Sequence, residues 1–220
     1  MATIKPVSTP RGSRSAATRE KLILAGEALF AEYGFDAVAV RQIAEASGQR
    51  NNSVIQYHFG DKYGLLDAIF MYRAEQISPI RMKMLRDYRL GGRVREIKDI
   101  FRLILEPELE ICRIEGNLNY IRLTLYYMIH LRPKGILHPF DRQYEATLAL
   151  RTALSLLHER LPYLPPDRFY FRTSVLDIMI KGAMIVIDGA GHDLLDRKNI
   201  LLEDAIEMMT AAMGAPPWQE

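Results

Sequence analysis

From Thr18 onward apolar residues recur at intervals of three, four and seven: Leu22, Ile23, Leu29, Phe30 and Tyr33 fall on one helical face, and Gly34 closes the run. The spacing predicts a helix over 18–33. Val40, Ile43, Ala44 and Ser47 repeat the pattern for barely two turns before Gly48 ends it, and a third short helix is expected over 52–59, broken by Gly60. Asp61 is placed to cap a fourth helix through KYGLLDAIFMYRAEQI. Two short helices joined by a glycine-containing turn, inside a three-helix unit, are the arithmetic of a helix-turn-helix.

Beyond this unit, Ser78-Pro79 is expected to kink or restart the fourth helix. Helical windows follow at about 79–89, 94–111, 118–131, 140–161, 167–189 and 200–213, separated by Gly91-Gly92, Gly116, Pro133, Pro162 to Pro166 and Gly189 to Gly191. Only MIVI at 184–187 is ambiguous between helix and strand, and no internal repeat is visible. The chain is predicted to be all-α.

With 220 residues, 49% hydrophobic and 25% charged, the chain can bury a substantial core, which excludes disorder throughout. Cys112 is the single cysteine, so no intrachain disulfide forms, and His130 and His138 lack zinc-type spacing; no metal is expected, and a reducing cytoplasm fits best. The longest apolar stretch, from Val175, is interrupted by Asp177, Lys181 and Asp188, so no membrane span is expected. The start has no hydrophobic signal region. Residues 1–62 hold eight basic and six acidic side chains, whereas the remainder holds twenty-one of each, so the net positive charge lies in the first quarter, including an acid-free arm with Lys5, Arg11 and Arg14. His58 beside Asp61 has no further catalytic partner, and GAGHD at 189–193 follows no clear strand and reads as a helix terminator. Neither catalysis nor a cofactor is expected.

The stretch SGQRNNSVIQYHFGDK concentrates hydrogen-bonding groups yet holds Val54, Ile55 and Phe59. On a helix from Asn52, Ile55, Phe59 and Val54 turn inward while Asn52, Ser53, Gln56 and Tyr57 fall on the outer side. Asn and Gln can bond bidentately to an adenine edge in the major groove and Ser can serve either base type. Arg41, Tyr57, His58 and Lys62 lie at helix ends or flanks, where phosphate contacts are needed. Composition alone leaves open whether this face is merely solvated.

The order LFAEYGF, VRQIAEASG, YHF and DKYGLL, within Thr18 to Phe70, resembles the amino-terminal domain of the TetR family of transcriptional regulators. The resemblance covers about a quarter of the chain closely. It implies base-facing roles for Asn52, Ser53 and Gln56, a base or phosphate contact for Arg41, and phosphate contacts for Tyr57, His58 and Lys62. The turn GQRNNS is one residue longer than the common family turn, bringing Arg50 and Asn51 into play as phosphate contacts, and Ala39 stands where a Thr often caps the second helix. It also implies a cytoplasmic, ligand-responsive repressor: a homodimer on a palindromic double-stranded DNA operator, with a basic arm over 1–17, a helix-turn-helix domain over 18–64, a helical ligand-binding and dimerisation domain over 65–214 and a tail over 215–220.

Within that carboxy-terminal part, Tyr120, Leu123, Tyr126, Tyr127, His130 and Tyr144, with Arg122 nearby, are expected to line a pocket for a small hydrophobic or aromatic effector. The helix from Phe169 to Ile187 is apolar on nearly every side, and Gly182 and Ala183 would let a partner backbone approach. A dimer interface is expected on Val175, Met179, Gly182, Ala183 and Val186 with Leu202, Ile206 and Met209.

Overall fold

The computed structural model describes residues 10–91, 96–142, 144–191 and 200–218. Nine α-helices lie among the described residues: α1 Pro10–Tyr33, α2 Val40–Ala46, α3 Ser53–Phe59, α4 Lys62–Gly91, α5 Ile97–Glu115, α6 Asn119–Tyr126, α7 Leu148–Glu159, α8 Pro166–Gly189 and α9 Ile200–Gly214. No strand is present among them, and MIVI is helical. Two compact units divide within α4, Met1–Ile69 and Phe70–Glu220.

Three boundaries differ from the sequence expectation for identifiable reasons. α1 starts at Pro10 rather than Thr18, because proline suits the first helical turn and the following Arg, Ser and Ala residues tolerate helix. Part of the expected arm is thus helical, and residues 1–9 lie outside the described residues. α4 runs through Pro79 without a restart. Pro79 and Glu75, whose carbonyl loses its N–H partner, are both exposed, so solvent can satisfy that carbonyl. The window at 140–161 breaks into two short 3-10 turns, Pro139–Arg142 and Glu145–Thr147, before α7 begins. Gly92, His192, Asp193 and the last two residues of the expected tail also lie outside the described residues.

In the amino-terminal unit, α1 supplies Leu22, Ile23 and Phe30, the following loop Phe35 and Val38, α2 Ile43, α3 Ile55, and α4 Leu65 and Ile69, all buried. A side chain at Gly64 would place its Cβ 2.0 Å from the Phe59 carbonyl oxygen, so the turn from α3 into α4 requires glycine there. Asp61 Oδ1 accepts the Gly64 N–H at 2.7 Å, the cap anticipated from the sequence. In the carboxy-terminal unit, α5, α8 and α9 form the main core around Leu105, Leu109, Ile180, Met184, Ile206 and Met209. A smaller cluster joins Leu85 of α4 to Leu103 and Ala153.

Candidate nucleic-acid interface and ligand cavity

α2 ends in a doubly bonded turn: Gly48, at φ +76°, donates its N–H to the Glu45 carbonyl at 3.0 Å, and Gln49 donates to Ala44 at 2.8 Å. The left-handed φ explains the glycine. At the start of α2, Ala39 offers no capping oxygen, but its own N–H is taken by Gln42 Oε1 at 2.7 Å, so half of a capping box survives. At the start of α3, Asn51 Oδ1 accepts the Ser53 N–H at 2.9 Å. Asn51 therefore caps the helix, and only its amide nitrogen is left to reach outward.

The packing of α3 is one-sided. Ile55 is fully buried, Val54 and Phe59 are half-buried, and Asn52, Ser53, Gln56 and Tyr57 are exposed, Tyr57 by 80%. Arg50 and Asn51 are exposed in the turn. Arg41 is exposed and bonded through Nε to Glu45 at 2.7 Å, which leaves the N–H groups of its two Nη atoms for another partner. Lys62 is half-buried, its ammonium over the Phe35 ring at 4.4 Å and the Phe30 ring at 5.8 Å. Burial lowers its pKa, with Asp36 opposing. His58 lies edge-on to Tyr57 at 4.9 Å, and its pKa is lowered by burial and by Arg19.

A cavity of about 190 Å³ lies within the carboxy-terminal unit. Its wall is mostly apolar, with Leu105, Leu154, Leu157, Met128 and six aromatic rings, and its exposed members Tyr170 and Arg132 mark where it reaches the surface. Of the residues expected to line it, Tyr120 and Tyr127 do so; Leu123, Tyr126, His130 and Tyr144 do not. Helical phase explains the split. Tyr120, Thr124 and Tyr127 share one face at intervals of four and three, while Leu123, Tyr126 and His130 share the next. Leu123 is buried elsewhere, Tyr126 stacks on His130 at 4.5 Å, Tyr144 is exposed, and Arg122 pairs with Asp188 at 3.1 Å. A π-helical turn, Tyr127–Leu131, follows α6, and Tyr127 donates its hydroxyl to the Ile136 carbonyl at 2.7 Å.

The polar end of the cavity comes from residues that the sequence singled out only as interruptions or not at all. Lys181 is buried on α8 and bonds Asp177 one turn earlier, while Glu108 Oε2 on α5 stands 3.3 Å from its Nζ. Burial works against the Lys181 charge, but Asp177 and Glu108 outweigh it and its pKa is raised. Glu108 Oε2 is buried and accepts no hydrogen bond among the described residues. Its other oxygen stands 3.6 Å from the buried Arg81. Spacing of four could have marked Asp177 and Lys181 as a pair, whereas nothing local ties them to Glu108.

The expected dimer residues divide as well. Val175 and Val186 are exposed, Met179 and Ala183 are half-buried, and a Cβ at Gly182 would meet nothing within 4 Å. Leu202, Ile206 and Met209 instead face the unit's own core, and Met209 also lines the cavity. Turning them outward would forgo roughly 1.5–3 kcal/mol for each side chain. The exposed face of α9 carries Leu201 and Met208.

Residues 22–69 match the family model described as bacterial regulatory proteins, tetR family. No curated protein matches the chain. Among solved structures, a TetR family transcription regulator from Marinobacter aquaeolei VT8 is similar over 91% of this chain and 97% of its own, at 16% identity and a TM-score of 0.62. A gamma-butyrolactone receptor (ArpA like protein) is 18% identical over 89% of this chain and 99% of its own, with a TM-score of 0.46. Among the described residues no helix is long and apolar enough to cross a membrane. Residues 22–69 are thus similar to the amino-terminal domain of the tetR family of bacterial regulatory proteins, and the chain as a whole shares its fold with the Marinobacter aquaeolei VT8 regulator.

Proposed function

We propose that the protein is a ligand-released repressor that binds a palindromic double-stranded DNA operator as a homodimer. The observation that carries this reading is the two-sided α3: a fully buried Ile55 anchors it while Asn52, Ser53 and Gln56 stand exposed together. Short amide and hydroxyl side chains on a protruding helix match base edges in the major groove. Arg41 reaches a base or a phosphate, and Arg50, Asn51, Tyr57, His58 and Lys62 serve as phosphate contacts, which fix register without reading sequence. The protein acts by binding in the cytoplasm, without catalysis.

The cavity is the effector site in this reading. Phe70, on α4, packs against Tyr127 at 5.1 Å and His138 at 4.4 Å, and both of these line the cavity. A ligand that displaces either ring loads α4, whose first turns belong to the DNA-binding unit. Coupling of this kind is reciprocal: an effector that releases DNA binds more weakly to the DNA-bound protein, typically 5 to 150-fold. Dimerisation uses the exposed faces of α8 and α9, through Val175, Met179, Gly182, Ala183 and Val186, joined by Leu201 and Met208.

The experiment is selection from a pool of random duplexes with the purified protein, followed by sequencing. The expected product is a two-fold symmetric site with half-site centres about 34 Å apart, or a multiple of that. Recovery of sequences without a shared motif would contradict sequence-specific regulation.

A further inference from the structure

Building on the reading of the cavity as the effector site, we propose that its ligand is a neutral phenol, seated with its hydroxyl against the Glu108–Lys181 ion pair. Size and wall composition set the ring. A cavity of about 150 Å³ holds benzene, so about 190 Å³ accommodates roughly eight to ten non-hydrogen atoms. Phe101, Tyr120, Tyr127, Phe140, Phe169 and Tyr170 supply aromatic surface on its wall. Offset and edge-on ring contacts favour an aromatic guest over an aliphatic one of equal size.

Charge sets the polar group. Lys181 lies between Asp177 and Glu108, and Arg81 stands 3.6 Å from Glu108, so these four buried or half-buried charges sum to zero. A carboxylate entering this end would meet Asp177 and Glu108, with Lys181 already shared between them and the other lining cation, Arg132, paired with Asp141 at 3.0 Å. An ammonium would meet Lys181 and lose its hydration in an apolar cavity. A hydrocarbon would offer no donor to the Glu108 carboxylate, whose oxygens stand 3.3 Å from Lys181 Nζ and 3.6 Å from Arg81. A hydroxyl is both donor and acceptor: it can donate to the Glu108 carboxylate and accept from a Lys181 N–H, of which an ammonium has three. A hydrogen bond to a charged acceptor away from water corresponds to roughly tenfold or more in affinity.

The test is calorimetric titration of the full chain at pH 7 with 4-ethylphenol, ethylbenzene and 4-ethylbenzoate. The phenol is expected to bind about tenfold or more tighter than either of the others. Glu108→Met, which removes the acceptor at similar volume, is expected to abolish that preference while ethylbenzene affinity stays within about twofold. Leu154→Trp, which fills the cavity, is expected to abolish binding of every probe. If ethylbenzene or 4-ethylbenzoate binds as tightly as the phenol, and Leu154→Trp removes that binding, the ligand class is wrong while the cavity remains the binding site. If no probe binds, or binding survives Leu154→Trp, the effector-site reading falls together with the phenol. The unmodified protein decides between the three probes even where Glu108→Met does not fold.

Discussion

His138 joins the cavity wall to α4 through its ring contact with Phe70, and its surroundings keep it neutral. Burial pushes its pKa down to about 4; Asp141 and Asp177 pull it up, and Arg132 and Lys181 push it further down. In the unfolded chain a histidine titrates near 6.5. Between these values the unfolded state takes up a proton that the folded state refuses, so stability that is full above about pH 6.5 is lost as the pH falls toward 4. At pH 5 the loss from this group is about 2 kcal/mol relative to pH 7. His138→Gln retains an acceptor for the Phe140 N–H, which now donates to His138 Nδ1 at 3.1 Å, and is expected to flatten that part of the acid dependence. Urea denaturation of both proteins at pH 7 and pH 5 checks this; equal losses in the two would contradict it. At this scale the exposed side chains of α3 were legible because exposure on a short helix follows from period and one anchor, Ile55. The polar end of the cavity was not, because Lys181 and Glu108 meet only through the packing of α5 against α8.

α5 illustrates how an element can carry a defect that another repairs. Pro107 lies inside it and has no N–H to give the Leu103 carbonyl. The buried Arg81 of α4 donates from Nε to Leu103 O at 3.0 Å and from Nη2 to Ile104 O at 2.8 Å. Removing Arg81 would strand the Leu103 carbonyl and weaken the compensation of Glu108, so Arg81→Met is expected to cost about 3–5 kcal/mol. Pro107→Ala restores the missing N–H, and in its background the cost of Arg81→Met is expected to fall by roughly 1 kcal/mol. Urea denaturation of the four proteins measures the coupling, and strict additivity would contradict the repair. Helix identity was legible throughout from periodicity and glycine stops such as Gly34 and Gly116. Pro79 misled because a helix tolerates proline where the orphaned carbonyl meets water, and the π-helical turn at Tyr127–Leu131 has no periodic signature over so few residues.

For the whole molecule, function in this reading depends on pairing two copies so that two α3 helices meet two half-sites. The apolar excess of α8 was legible, but the sequence could not say which face of α9 its own core would claim; Leu202, Ile206 and Met209 went inward, leaving Leu201 and Met208 outside. Val186 is 70% exposed, so Val186→Glu is expected to leave the subunit folded while sedimentation detects monomer and operator affinity drops. A normal dimer from that variant would move the interface elsewhere. Division of labour around α3 is tested most directly by titrating the selected operator and a random duplex, at several salt concentrations, with the unmodified protein, Gln56→Ala and Lys62→Met. Lys62→Met keeps an unbranched side chain of similar length beside the Phe35 ring while removing the charge that now lies over it. Gln56→Ala is predicted to lose about 1–3 kcal/mol on the operator and little on random DNA, and Lys62→Met to weaken both duplexes alike with a salt slope smaller by about 1. Equal losses on both duplexes from Gln56→Ala, or a changed sequence preference with an unchanged salt slope from Lys62→Met, would contradict the assignment of α3 as the base-reading element.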